Sequence, residues 1–257
     1  MKDKIAVISD IHSNADALKV VLSSLSENSV DLTVFLGDLW TYGCQPNEII
    51  DMILTYQSKC RCVFIKGNHD QFYFDIQTGL NFKNYNMPGF VEESIDWTAQ
   101  RVSSIDLLSL FDWQSDFIFE KVYFSHANPF DYGNWGYLDK IETCQSAFDE
   151  LAIKSCMVGV FGHSHRQKFI QQIAGNLIEH DSNSVRIGAN EKYIINAGSI
   201  GQARGYGFCY LLLELDAGYV KADLIPLSFD LTNSIALIEN ANFSQTTQQK
   251  LIDYLRS

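Results

Sequence analysis

Five apolar runs in this sequence stop abruptly on a histidine, an aspartate or an asparagine, and that punctuation constrains the fold more than any other feature. KIAVIS (4–9), DLTVFLGD (31–38) and CRCVFIKGN (60–68) are short and rich in β-branched and aromatic residues, as buried strands are. After the first run comes NADALKVVLSSLSEN, with Leu18, Val21, Leu22 and Leu25 at helical spacing, Ser13 placed as N-cap and Asp16 three residues on. After the second comes PNEIIDMILTY (46–56), opened by Pro46 at a helix start. Strand and helix alternating in this way predict an α/β fold built on a mostly parallel sheet. In open sheets of that kind, ligands bind beyond the carboxyl ends of the strands.

The rest of the chain is less regular. Residues 71–92 are aromatic and contain Gly and Asn without clear periodicity, and VEESIDWTAQRVSSIDLLSLFDW (91–113) predicts one or two helices broken near Ser103 and Ser104. DFIFEKVYFSH (116–126) predicts a hairpin turning at Glu120 and Lys121, YLDKIETCQSAFDELA (137–152) a helix, and CMVGVFGHSH (156–165) a buried strand. Further strands are expected at 193–197, 207–215 and 219–225, and a helical tail from about Leu231 to Arg256. With no linker, repeat or low-complexity stretch, residues 1–257 are expected to form a single domain.

Charge excludes one class of partner. The net charge of −12 leaves no basic stripe to track a phosphate backbone, so a broad nucleic-acid surface is not expected. An anionic substrate would have to meet a local positive charge, which a metal can supply. The six cysteines form no CxxC pair and mostly lie in or beside apolar runs, where reduced core thiols are expected. Neither a secretory apolar segment nor an apolar run near ~18 residues occurs, so no membrane span is expected and the cytoplasm is the expected compartment.

The chain has six histidines, and His12, His69, His126, His163 and His165 all fall just after a predicted strand, with only His180 placed elsewhere. Asp10 lies two residues before His12, and Asp38 and Asn68 end two other runs. Singly these residues mean little. Together they are the imidazole, carboxylate and amide donors that a pair of divalent ions requires, with a carboxylate able to bridge. Gly37, Gly67 and Gly162 each precede a candidate donor, where a strand must turn sharply and its backbone approach the site. Mn²⁺ suits this mixed N/O set best, while Fe, Zn, Ni or Co are also compatible.

In order and spacing, Asp10-x-His12, Gly37-Asp38-x-x-x-x-Gly43, Gly67-Asn68-His69-Asp70, His126 and Gly162-His163-Ser164-His165 resemble the five-block signature of the calcineurin-like metallophosphoesterases. NAGSIGQAR (196–204) resembles the segment that follows in their smaller bacterial and archaeal members. The resemblance implies a four-layer α/β/β/α sandwich of two mixed sheets with a two-metal site along one edge. It implies one ion held by Asp10, His12, Asp38 and His165 and another by Asp38, Asn68, His126 and His163, with Asp38 bridging. His69 would sit beside the ions and assist the leaving-group oxygen. Asp70 reads as a brace of the turn.

Departures from better-known branches narrow the substrate. GDLWTYG places Tyr42 where phosphoprotein phosphatases and symmetrical dinucleoside tetraphosphatases carry an arginine, which argues against a phosphoprotein. The expected activity is hydrolysis of a small, nucleotide-like phosphomonoester or phosphodiester by a hydroxide that two divalent ions activate. The alternatives are a dinucleoside polyphosphate hydrolase and a non-catalytic scaffold of the same fold, the scaffold standing against an intact set of ligand types. Arg166 and Arg204 are candidates for a phosphate contact but read rather as surface or ion-pair residues, outside the site.

Overall fold

The computed structural model describes residues 3–82 and 85–256. The chain opens with β1 (Asp3–Ile8), α1 (Ala15–Glu27), β2 (Leu32–Phe35), α2 (Pro46–Gln57), β3 (Cys62–Ile65), α3 (Asn68–Gln77), α4 (Gly89–Arg101) and the two-residue β4 (Trp113–Gln114). It continues with β5 (Asp116–Phe119), β6 (Val122–Ser125), α5 (Ile141–Ile153), β7 (Val158–Phe161), β8 (Lys168–Ile173), β9 (Asn176–His180), β10 (Ser184–Gly188) and β11 (Lys192–Asn196). The strands β12 (Cys209–Asp216) and β13 (Tyr219–Pro226) and the helices α6 (Thr232–Asn240) and α7 (Gln245–Arg256) complete it.

Two mixed sheets result. One has the order β10-β13-β12-β1-β2-β3-β4 and the other β5-β6-β7-β11-β8-β9. The β1 to β4 half of the first sheet is parallel, as are β6, β7 and β11 in the second, and the remaining strands are added antiparallel. Val7, Val34 and Ile65 of the first sheet pack on Phe124, Val160 and Ile195 of the second in one apolar layer. The alternate residues Ala6, Ile8 and Phe35 face outward onto α1 and α2 through Leu18, Val21, Ile49 and Ile53. On the far side, Tyr123, Phe161 and Ile194 meet Ala147, Phe148 and Leu151 of α5. The architecture is therefore the expected α/β/β/α sandwich. Strands covered on both faces read as unbroken apolar runs, and burying each Val, Ile or Phe side chain contributes about 1.5–3 kcal/mol.

Several local expectations differ from the structure, each for a physical reason. Asn14, not Ser13, caps α1: its side chain accepts from the Ala17 amide, while Ser13 belongs to the left-handed stretch before the helix. The GNHD segment is the first turn of α3 rather than a plain turn; Phe72, Tyr73 and Phe74 in a row are buried, so the helix shows no amphipathic period. After α4 no second helix forms, and α5 starts at Ile141, because Lys140 is extended and acts as its N-cap. The tail is two helices, with Ala241 extended between them. β8, β9 and β10 were not foreseen, since their burial is partial and their sequences mix polar and apolar residues without clean alternation. His180, set apart by sequence, closes β9 and bonds Gln171 far from the other five histidines.

Candidate metal centre

The strand ends of both sheets converge on one buried cluster. β1 delivers Asp10 and His12, β2 Asp38, β3 Asn68, β6 His126, and β7 His163 and His165. Backbone bonds zip the first two loops together: Asp10 N donates to Gly37 O (3.1 Å), His12 N to Asp38 O (3.0 Å) and Ser13 N to Leu39 O (2.8 Å). Asp10, His12, Asp38, His163 and His165 all have left-handed φ between 47° and 62°. Such conformations cost energy in non-glycine residues and persist where the surroundings over-determine them, as functional sites do. The glycines beside them permit close approach. A Cβ on Gly67 would lie 2.2 Å from Asp38 Oδ1, and one on Gly162 would lie 2.0 Å from Ser9 Oγ.

Two groups form at the centre, Asp10 with His12 and His165, and Asp38 with His126 and His163, the ligand atoms of each lying within 4.8 Å of one another. Asp10 Oδ1 is 3.1 Å from His165 Nε2 and 3.8 Å from His12 Nε2. Asp38 Oδ2 is 3.3 Å from His126 Nε2 and 3.9 Å from His12 Nε2, so one carboxylate oxygen reaches both groups. Asn68 Oδ1 joins the second group, 3.2 Å from His126 Nε2. Asp38 Oδ1 is held in place by the His69 amide (2.8 Å).

Tautomers follow from the outward-facing nitrogens. His12 Nδ1 lies 3.0 Å from Trp40 O, His126 Nδ1 2.7 Å from Leu36 O and His165 Nδ1 2.5 Å from Gln202 O. Carbonyls only accept, so in each ring Nδ1 carries the proton and donates. The Nε2 atoms are thereby turned inward, and those of His12 and His165 face each other at 3.1 Å. Two such nitrogens that close need a proton or a cation between them. Buried His163 Nε2 and Asp10 Oδ1 have no hydrogen-bond partner. Three inward imidazole nitrogens fixed by outward N–H bonds, with two carboxylates, fit divalent cations well.

Electrostatics agree. Burial alone would raise Asp10 and Asp38, but His165 and His126 respectively outweigh it and hold both carboxyls below the usual range. Burial pushes His12 well down, His69 to about 4 and His163 to about 3, keeping them neutral. Burial would lower His126 too, yet the adjoining Asp38 charge and hydrogen bond raise it to about 9. A cation sharing Asp38 would reverse that balance and expel the proton.

Asp70 is the brace of the site. Its Oδ2 accepts from the amides of Asp38 (2.8 Å) and Gly67 (2.8 Å), and its Oδ1 from that of Leu39 (2.9 Å). The GNHD and GDLW loops are thereby locked to one another. The segment 196–204 plays a similar part: Ser199 Oγ and Gly201 N both donate to Asp10 O, at 2.8 and 3.0 Å.

A family comparison names this arrangement. The model of the calcineurin-like phosphoesterase family matches residues 3–167. The chain belongs to that family. As a family member this phosphoesterase is a hydrolase, and its curated relatives include an uncharacterized protein of Methanocaldococcus jannaschii, 32% identical over 211 residues and covering 79% of each chain. The phosphoesterase also superimposes on a metallophosphoesterase from Sphaerobacter thermophilus (TM-score 0.75, 22% identity, 99% of this chain and 100% of that one). A hypothetical protein from Pyrococcus horikoshii gives the same TM-score of 0.75 at 16% identity, with 96% and 97% covered. At these identities the two structures bear on the fold alone.

All eight residues singled out in the sequence meet at this centre. His69 packs edge-on to His12, ring centroids 5.1 Å apart, and its Nε2 lies 3.2 Å from the Tyr42 hydroxyl. Three further elements belong to the phosphoesterase's site, of which only Arg204 was weighed from the sequence, and it was set aside. Tyr42, noted only for the arginine it replaces, packs on both His12 (4.6 Å) and His69 (4.9 Å). Arg204 bonds Gln202, whose backbone carbonyl receives His165, and its charge acts on Tyr42 and His69. The loop after His126 brings Trp135 and Tyr137 to the second histidine group. FDYGNWGY (130–137), dense in aromatics immediately after a candidate ligand, was the available signal.

Proposed function

We propose that the protein is a metal-dependent phosphoesterase that hydrolyses a small, nucleotide-like phosphomonoester or phosphodiester, with two divalent ions held at the strand ends. The observation that carries this reading is the inward convergence of the Nε2 atoms of His12, His126 and His165, each ring fixed by an outward Nδ1 bond, on Asp10 and Asp38. Asp10, His12, Asp38 and His165 would hold one ion, and Asp38, Asn68, His126 and His163 the other. Such ions neutralise phosphoryl charge and make water a competent nucleophile near neutral pH. Mn²⁺ is the favoured metal for this donor set.

The protein's own groups do the rest. The two carboxylates and the outward imidazole N–H bonds fix the donors before substrate arrives. His69 lies beside the donor set with Nδ1 unpartnered and Nε2 at the Tyr42 hydroxyl, so a ring N–H can be presented to the departing oxygen. A bound phosphoryl dianion raises the proton affinity of that ring. The unbridged state of all six cysteines supports a reducing compartment such as the cytoplasm. Among the described residues no helix is long and apolar enough to cross a membrane.

A second reading, hydrolysis of a dinucleoside polyphosphate, draws support from Arg204, whose charge bears on His69 and Tyr42 and could hold an additional phosphate. A substrate panel separates the readings. Protein stripped with a chelator should be inactive on p-nitrophenyl phosphates and their diesters and regain activity with Mn²⁺. Monoesters, 2′,3′-cyclic nucleotides, diesters and dinucleoside polyphosphates are then ranked by kcat/KM. Full activity without metal would overturn the proposal, and a scaffold would turn over none of the panel.

A further inference from the structure

The second histidine group is flanked by aromatic rings that the phosphoryl chemistry does not use. Tyr137 lies parallel on His163, centroids 4.3 Å apart and planes at 18°. It is 45% exposed: one face covers the imidazole and the rest is open to solvent. Trp135 stands edge-on to His126 at 5.8 Å, and Tyr132, itself 50% exposed, stands against Trp135 at 5.4 Å. Three rings from one short loop thus extend outward from the two imidazoles.

The loop is built to hold them there. Ser125 Oγ donates to Asn128 O (2.8 Å), Asn128 Nδ2 to Gly136 O (3.0 Å) and Phe130 N to Asn128 Oδ1 (3.1 Å), pinning both limbs. Leu138, just after Tyr137, is buried against α5. Trp135 adopts a left-handed φ of 52°, a conformation bulky residues avoid unless something else fixes it. Lys66 Nζ, 5.4 Å from the Tyr132 ring, stiffens the outer end. Solvent-exposed aromatic rings held rigidly beside a polar site offer a planar group a large contact area at small entropic cost.

We propose that Tyr137 and Trp135 form a stacking subsite for the nucleobase of the substrate. This rests on the phosphoester reading of the adjoining centre: a phosphate held among the inward imidazoles has its ester group beside the Tyr137 ring. A sugar or alkyl chain has no π-face to match the open Tyr137 ring, whereas every nucleobase does. Tyr137 offers the open stacking face, while Trp135 and Tyr132, inclined at 63° to one another, stand on the same loop as its aromatic flank. Because stacking is indifferent to hydrogen-bonding edges, the subsite selects for a base without choosing sharply among bases.

The test measures binding to Mn²⁺-loaded protein by calorimetry, with adenosine 5′-monophosphate, ribose 5-phosphate, phenyl phosphate and inorganic phosphate as probes. The nucleotide should bind on the order of tenfold tighter than ribose 5-phosphate, the range of one base-aromatic stack. Tyr137→Leu should erase that gap and Tyr137→Phe, which keeps the ring, should preserve it; Trp135→Leu should narrow it. The kcat/KM ratio of nucleotide over glycerol phosphate should fall in parallel. Equal affinity of the nucleotide and ribose 5-phosphate in the unmodified protein would overturn the subsite, as would a gap that survives Tyr137→Leu. Phenyl phosphate binding as tightly as the nucleotide would overturn the nucleobase assignment. Ester hydrolysis with no affinity gap would refute the subsite and leave the proposed function standing. A gap that responds to Tyr137 with no hydrolysis of any ester would do the reverse.

Discussion

Replacing Asp38 by asparagine tests the centre at the atom that ties its halves together. Oδ2 lies within 3.3 Å of His126 Nε2 and 3.9 Å of His12 Nε2, while Oδ1 accepts the His69 amide. Asparagine keeps the shape and an acceptor for that amide but removes the buried negative charge. Taking one partner from a buried charge pair costs about 3–5 kcal/mol. At about 1.4 kcal/mol per decade, each ion should then bind roughly 10²- to 4 × 10³-fold more weakly. The metal-free variant should lose stability as well, because the attraction of the Asp38 carboxylate to His126 outweighs its desolvation, so a Tm of the metal-free variant accompanies the metal count. Asp10→Asn is the control, since Asp10 belongs to one group only. Elemental analysis after dialysis should find fewer ions on Asp38→Asn than on Asp10→Asn, which keeps about one. Two ions per chain retained by Asp38→Asn at unmodified affinity would refute the bridging assignment.

Other consequences can be checked separately. His69→Ala should retain its metals and much of its kcat/KM on p-nitrophenyl substrates but lose about 10²- to 10⁴-fold on alkyl or nucleoside esters, whose oxygens need a proton to depart; equal losses on both would withdraw the acid role. Tyr42→Phe removes the hydroxyl 3.2 Å from His69 Nε2 while keeping the ring on His12, so it should reproduce part of the same leaving-group dependence and add little to His69→Ala; full additivity would show the hydroxyl acts elsewhere. Asp70→Ala leaves the amides of Asp38, Leu39 and Gly67 without their acceptor. Burial and the Asp38 charge already push the Asp70 carboxyl up to about 7, which offsets part of its value, so a loss near ~3 kcal/mol and a Tm lower by roughly 6–12 °C are expected in metal-free protein; an unchanged Tm would remove Asp70 as a brace. His126, raised to about 9 in the metal-free fold, contributes stability that is fully present below pH 6.5 and lost as pH rises through about 9. Metal must displace that proton, so affinity should climb across this window and calorimetry in buffers of different ionisation heat should detect proton release near pH 7.5; binding with no proton release would contradict it.

The sequence by itself determined the parallel strands β1, β2, β3, β6, β7 and β11 and the candidate donor set, whereas β4 begins at Trp113, where the sequence predicts helix. β1, β2, β3, β6 and β7 are covered on both faces, so their apolar runs are unambiguous, and the abrupt change to Asp, Asn or His marks where each strand leaves the core. Residues 10–12, 38, 68–69, 126 and 163–165 were legible for that reason. Partly buried β8, β9 and β10 gave no comparable signal, and α3 hid because it is buried on more than one face.

Tertiary structure alone decided which groups act on one another across the chain. Asp70 bracing the amides of residues 38 and 39, Gln202 receiving the His165 N–H, Tyr42 reaching His69 and Tyr137 covering His163 each join positions from 26 to 37 residues apart, or loops that only the stacking of two sheets brings together. No periodicity encodes such contacts, because they depend on where two strand ends stop relative to each other in space. The donors are chemical and could be read from residue type. Their tautomers, the shared oxygen of Asp38 and the aromatic wall beside them are geometric and exist only in the folded chain.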